Sequence, residues 1–229
     1  MFGKNIVISQ HLAPTGNLNI VDVFYTIQGE GPYNGMPSVF IRLAGCNLRC
    51  TWCDTDFESN ARFHMLDDLV DEVQVRAMAR TKLVVITGGE PMLQNLVPLI
   101  KELTRRQFRV QIETAGTVWV PGLEECDVTL VCSPKTGKVH KEILNRCKHF
   151  KYVVGAGDVD DEGEIVTQTQ PGAKAVKLAR PKEGTTIWVQ PRDDHDDAKN
   201  EANLKFATNF CLTHGYRMGI QLHKLLGVD

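Results

Sequence analysis

The sequence predicts an α/β fold, a mostly parallel sheet curled toward an incomplete (β/α) barrel. Three observations carry this expectation. Short apolar runs with strand character recur at Ser38 to Ala44, Leu83 to Ile86, Arg109 to Ile112, Val128 to Cys132, Phe150 to Val154 and Thr186 to Val189. Amphipathic or turn-rich stretches alternate with them, as in parallel strands joined by crossover helices. Polar or glycine-containing residues follow one strand end after another, at Gly88-Gly89, Glu113-Thr114-Ala115-Gly116, Ser133-Pro134-Lys135 and Gln190-Pro191. Loops gathered at one end of such a sheet are where a barrel carries its site, and roughly six or seven repeats fit, fewer than the eight of a closed barrel.

Each element has its own warrant. Met1 to Leu18 has no period and is expected to be a loose arm. Asn19 to Ile27 alternates loosely, placing Val21, Val23 and Tyr25 on one face of a first strand. Gln28-Gly29-Glu30-Gly31-Pro32 then forms a turn that lets backbone approach a ligand. Ser38 to Ala44 places Val39, Ile41 and Leu43 on one face and Arg42 on the other. A guanidinium there needs a partner, which either an anionic ligand or an internal salt bridge supplies. Met65 to Arg80 carries Leu66, Leu69, Val70, Val73 and Ala77 at helical spacing, with acids early and arginines late. The helix after Thr87-Gly88-Gly89-Glu90-Pro91 carries Leu93, Leu96, Val97, Ile100 and Leu103, and a short helix is expected around Lys138 to Asn145. Gly155 to Gly172 is a loop or hairpin, Asp193 or Asp194 caps a helix that ends at Gly215, and Arg217 to Leu222 is a last strand.

Bulk composition narrows the function. The 229 residues are 42% hydrophobic, enough to bury a core, and no linker or repeat divides residues 1–229, so a single domain is expected. Net charge is -2, which builds in no attraction for nucleic acid or an acidic membrane. No apolar run is long enough to span a bilayer, and the first residues lack a signal peptide's apolar segment. Seven cysteines, three of them clustered, do not form a disulfide framework, and a reducing cytoplasmic setting is expected.

The chemistry concentrates at Cys46-Asn47-Leu48-Arg49-Cys50-Thr51-Trp52-Cys53. The spacing C-x3-C-x2-C lets one loop present three thiolates to a metal centre. No fourth cysteine or histidine follows closely, whereas structural zinc takes four protein ligands. An iron–sulfur cluster with three local thiolates keeps one iron open for a small molecule. A zinc site completed by a distant residue, or buried thiols, would also account for this loop alone. Asp54-Thr55-Asp56 offers oxygen donors suited to magnesium, or is an ordinary solvated loop. No nucleotide fingerprint is present, since Gly29, Gly31 and Gly35 do not form G-x-G-x-x-G.

Taken together, the motifs resemble a family. Cys46, Cys50 and Cys53 match the signature of the radical S-adenosylmethionine superfamily, and Thr87-Gly88-Gly89-Glu90-Pro91 matches its second motif. Gln28-Gly29-Glu30-Gly31, Arg42, Cys53-Asp54-Thr55, Ser133-Pro134-Lys135, Val189-Gln190-Pro191 and Gln221-x-His223-Lys224 resemble one branch, the 7-carboxy-7-deazaguanine synthases of the queuosine pathway. The resemblance runs from about Val21 onward. It implies a carbon–nitrogen lyase that contracts the ring of 6-carboxy-5,6,7,8-tetrahydropterin to 7-carboxy-7-deazaguanine and releases ammonia. It implies a 4Fe-4S cluster on the three cysteines, S-adenosylmethionine, and magnesium on Thr55. Trp52, Cys53, Asp54, Gly89, Glu90, Ser133, Pro134, Lys135, Gln190, Pro191, Arg192 and Asp193 would contact S-adenosylmethionine. Ile27, Gln28, Gly29, Arg42, Thr87 and the terminal Asp229 would contact the pterin. A flavodoxin or ferredoxin donor and a homodimer follow from the same resemblance. Another small radical enzyme, such as a glycyl-radical activase, shares the first two motifs but has no use for Arg42 or Gln28. A non-catalytic metal-binding module explains the cysteines but not the series of loops.

Overall fold

The computed structural model describes residues 5–169, 172 and 174–228. Eleven strands and five α-helices are present among them. In chain order they are β1 (Leu18–Ile27), β2 (Pro37–Leu43), β3 (Arg62–His64), α1 (Leu66–Arg76), β4 (Leu83–Gly88), α2 (Val97–Arg105), β5 (Arg109–Thr114) and β6 (Val128–Cys132). There follow α3 (Lys141–Arg146), β7 (His149–Val154), β8 (Val166–Thr167), β9 (Val176–Lys177), β10 (Thr186–Pro191), α4 (Asp197–His214), β11 (Arg217–Met218) and α5 (Leu222–Leu226).

Nine strands form one sheet in the order β11-β10-β7-β6-β5-β4-β2-β1-β3. From β2 to β11 every neighbouring pair is parallel, while β1 is antiparallel to both β2 and β3. The parallel run places seven strand C-termini at one end, as the alternation predicts, and the sheet does not close into an eight-fold barrel. Period-two patterning then separates two environments. Val39, Ile41, Leu43, Val84, Ile86, Val110 and Ile112 face the helices and form the core with Leu69, Val70, Val73, Leu99, Ile100 and Leu103. Alternate positions face inward and carry polar groups, Arg42 with Thr87 in register on β4, then Gln111 and Glu113 on β5 and Lys151 on β7.

Four expectations need correction. In β1 the register shifts between Ile20 and Asp22, so Val21 does not share a face with Val23 and Tyr25; on that face Val23 is buried and Tyr25, nearer the strand end, is 40% exposed. A bulge adds one residue and exchanges the faces beyond it. The N-terminal segment is not loose over its described part. Ile8 N–H donates to Cys46 O at 3.1 Å and His11 N–H to Leu93 O at 2.8 Å, and Leu18 already belongs to β1. The N-cap of α4 is Asp196, whose side chain accepts from Lys199 N–H, while Asp193 and Asp194 remain in the preceding loop. The last strand stops at Met218, and Leu222–Leu226 is helical, ended by Gly227 in the left-handed region. The polar stretch Gly155 to Gly172 contains β8, whose antiparallel partner β9 lies beyond it, and Thr169, just after β8, accepts from Thr51 N–H of the cysteine loop at 3.0 Å.

Ile86 is fully buried in the middle of the sheet. Truncation of such a side chain loses transfer free energy and leaves a cavity. Ile86→Ala is expected to cost about 2–5 kcal/mol, read as a lower urea midpoint at unchanged slope.

Candidate active site

The strand ends converge on one cavity, lined by residues from β1, β2, β4, β5, β7, β10, the segment after β6, the cysteine loop and α5. Cys46, Cys50 and Cys53 form part of its wall. The loop that carries them contains no regular element and is fixed by neighbouring backbone. Gly88 and Gly89 run against it so closely that a Cβ on Gly88 would lie 2.2 Å from Leu43 O, and one on Gly89 2.1 Å from Gly45 O. Only glycine permits that approach, and Gly88 also has φ +136°. Glu90 N–H donates to Gly45 O at 2.9 Å. The Glu90 carboxylate is fully buried and accepts from Thr114 Oγ1 at 2.7 Å, Ala115 N–H at 2.8 Å and Met92 N–H at 3.1 Å. Burial raises its pKa against these hydrogen bonds. The side chain of Glu90 therefore ties the turn after β4 to the end of β5, its backbone N–H holds Gly45, and Gly89 is what faces the cavity.

The thiols are strongly perturbed. Burial pushes the Cys46 thiol up to about 12 and the Cys50 thiol to about 11, and it raises Cys53 as well. Lys135 sits beside them. Its ammonium donates to Ser133 O at 3.0 Å and Ser133 Oγ at 2.5 Å, and lies 5.2 Å from the centre of the Trp52 ring. Burial lowers its pKa.

At the floor of the cavity a charged network joins distant elements. Lys151 donates to Glu30 Oε2, while Gln190 and Gln221 donate to Glu30 Oε1 at 3.0 and 3.1 Å. Gln28 accepts from Glu30 N–H at 3.0 Å and donates to Glu113 Oε1 at 3.0 Å, where Gln111 donates too. Burial opposes ionisation of Glu30, but the Lys151 ammonium outweighs it and holds the carboxyl below its usual range. Burial also opposes the charge on Lys151, and the two carboxylates override it, so its pKa rises. Glu113 is left with a raised pKa, burial being the cause.

The remaining expected residues are placed as follows. Ile27, Gln28, Arg42, Trp52, Asp54, Thr55, Thr87, Ser133, Lys135, Gln190, Pro191, Arg192 and Asp193 line the cavity. Gly29 and Pro134 do not line it. Gly29 O instead accepts from Leu222 N–H at 3.2 Å, which docks α5. The Arg192 side chain is committed to Asp158 and Asp194 at 3.0 and 2.8 Å. Asp56 turns away and accepts from the N–H groups of Glu58 and Ser59 at 3.0 and 2.9 Å, which holds its carboxyl near 2. Asp229 lies outside the described residues. Sequence reasoning passed over Glu30, Glu113 and Lys151. The signal for Lys151 was available, since it is a charge set among Phe150, Tyr152, Val153 and Val154, the pattern that singled out Arg42.

The Radical SAM superfamily profile matches residues 40–156, which span the cysteine loop through β7. A 7-carboxy-7-deazaguanine synthase from Rhodospirillum rubrum is 44% identical over the full length of both chains. One from Rickettsia prowazekii is 36% identical over all of this chain and 96% of that one. The chain belongs to the 7-carboxy-7-deazaguanine synthase family of the Radical SAM superfamily. The crystal structure of QueE from Escherichia coli matches 90% of this chain and 94% of that chain, with a TM-score of 0.65 and 24% identity, and supports the fold.

Membership of the superfamily implies a 4Fe-4S cluster and S-adenosylmethionine. The residues present fit the pair. Three thiols, and no fourth, are among the residues that line the cavity, the donor set of a cluster with one iron left open. The buried Asn47 Oδ1 and Trp52 Nε1 beside them have no hydrogen-bond partner, leaving an acceptor and a donor near the cluster position. In this 7-carboxy-7-deazaguanine synthase fold the Glu30–Lys151 pair underlies the whole pocket.

Removing one partner of a buried pair leaves an uncompensated charge. Lys151→Met is expected to cost about 3–5 kcal/mol, and Glu30→Gln added to it should recover much of that loss, as read by urea unfolding of both variants. Because the folded pKa of Glu30 is lowered, its stabilisation is present above the ordinary carboxyl value of 4.5 and is lost as pH falls through the folded value. Wild type should therefore lose more stability than the double variant on acidification below about pH 4.5.

Proposed function

We propose that the chain catalyses the radical ring contraction of 6-carboxy-5,6,7,8-tetrahydropterin to 7-carboxy-7-deazaguanine, with loss of ammonia, in queuosine biosynthesis. One observation carries the substrate assignment beyond kinship. Arg42 lines the cavity with its guanidinium 5.0 Å from the Phe24 ring, and its Nε is buried without a hydrogen-bond partner. No carboxylate among the described residues forms an ion pair with it. A substrate carboxylate supplies the missing acceptor in bidentate form. The internal salt bridge that the sequence left open is absent among the described residues.

Cys46, Cys50 and Cys53 would hold the cluster, which with S-adenosylmethionine supplies the radical that removes a hydrogen atom from the substrate. The chain's own contribution is positioning. Gly89, Ser133, Lys135 and Gln190 border the region next to the cysteines and would cradle S-adenosylmethionine; Gln190 Oε1 is buried and without a partner, ready to accept from a ligand N–H. Arg42 and Thr87, adjacent in the β2–β4 register, would fix the carboxylate end of the pterin. Gln28 and Glu113 would border its ring, with the surrounding strands and α5 forming the walls.

Finer features belong to the same reading. Thr55 lines the cavity and its hydroxyl donates to Asp54 Oδ1 at 3.2 Å, so one bound magnesium would displace that contact and help orient the substrate. The C-terminal carboxylate of Asp229 is proposed to reach the substrate. Residues 1–229 are proposed to act as one domain, as a homodimer, in the cytoplasm, with a flavodoxin or ferredoxin as reductant. No helix among the described residues is long and apolar enough to cross a membrane.

Anaerobic reconstitution should give about four irons per chain and cleavage of S-adenosylmethionine under strong reductant. Addition of carboxytetrahydropterin should yield the deazaguanine, and cleavage without that product would favour another radical enzyme. Arg42→Ala should raise KM about ten- to hundredfold with iron content unchanged; an unaltered KM removes Arg42 from the substrate site. Thr55→Ala should abolish stimulation by magnesium, and equal stimulation in the variant removes Thr55 as its ligand.

A further inference from the structure

The cysteine loop has little structure of its own, yet it must hold three thiols in fixed relation. Ordering a residue costs about 1–2 kcal/mol, so something else restrains the loop. Part of that restraint comes from residues 5–11, which precede the region matched by the superfamily profile. Asn5 is 4% exposed, and its carboxamide N–H donates to Leu48 O at 2.8 Å. In return Arg49 Nε donates to Asn5 O at 2.8 Å. Ile8 N–H donates to Cys46 O, and Ile8 Cδ1 lies 2.2 Å from where a Cβ on Gly45 would stand. The far end is anchored too, with Gln10 Nε2 donating to Met92 O and Trp119 O, both at 2.8 Å. Between these anchors Ile6 is 73% exposed. The segment is therefore not a core element. It is a strap held by polar contacts to the loop it crosses.

We propose that residues 5–11 form a clasp that positions the cysteine loop and slows loss of the cluster it carries. The proposal rests on the reading of Cys46, Cys50 and Cys53 as cluster ligands. Cluster loss requires the ligands to move apart, and a loop with fewer restraints opens more often. Asn5 touches neither cluster nor substrate and acts through Leu48 and Arg49, so it is a positioning residue.

The test uses the full chain, Asn5→Ala and a deletion of residues 1–11, each reconstituted anaerobically. Iron content is measured first. The visible absorption of the cluster is then followed in excess chelator and in air, and apo-protein melting is recorded in parallel. Wild type and Asn5→Ala should load equal iron, about four per chain. Asn5→Ala should lose it about fivefold faster, the effect of one buried hydrogen bond, with apo-protein melting unchanged. The deletion should accelerate loss further, and if it does not fold, Asn5→Ala decides alone. Equal decay rates overturn the clasp, as does faster decay that only tracks a lower melting temperature. A wild-type chain that takes up no iron overturns the cluster reading and the clasp with it, and the iron assay separates that failure from the first.

Discussion

The buried ion pair between Glu30 and Lys151 is the constraint on which the rest of the site depends. A lysine inside a barrel must be paired, because an uncompensated ammonium in a low-dielectric interior is costly. Glu30 meets that need, and its second oxygen gathers Gln190 from β10 and Gln221 from the C-terminal segment. One carboxylate thus joins the turn after β1, β7, β10 and the start of α5. Through Gln28 the same network reaches Glu113 on β5. The carboxylates and the ammonium of this floor are each paired, while Gln190 Oε1 and Gln111 Oε1 are left without a partner.

That network explains how an open barrel encloses a reaction chamber. The parallel strands bring their ends together but leave the β1 edge and the β11 edge apart. The C-terminal segment bridges them. Leu222 bonds to Gly29, Gln221 to Glu30 and Asp54, and Lys224 to Asp193 at 2.7 Å. A chain that generates radicals needs such closure, since water and neighbouring side chains are alternative hydrogen donors. The division of labour follows from period two: aliphatic side chains point to the helices and supply stability, while inward positions carry the charges that receive ligands. Arg42 illustrates the second role, as a half-buried cation whose buried Nε has no acceptor, on a strand whose other face is wholly apolar.

What the sequence by itself determined is local. The cysteine spacing, the strand periods and the isolated Arg42 are each legible within about ten residues, because thiolate reach and side-chain alternation act over that range. These were sufficient for the fold class and for the wall of the site. Tertiary structure decided the rest. Lys151 and Glu30 are 121 residues apart, and no local pattern announces that one will pair with the other. The bulge in β1 put Val21 on a different face from Val23 and Tyr25 because register depends on the partner strand, and the last strand stops at Met218, with Leu222 N–H bonded to Gly29 O at the start of α5. The N-terminal arm, aperiodic in sequence, is ordered by backbone groups on a loop about forty residues away, and periodicity does not report contacts of that kind.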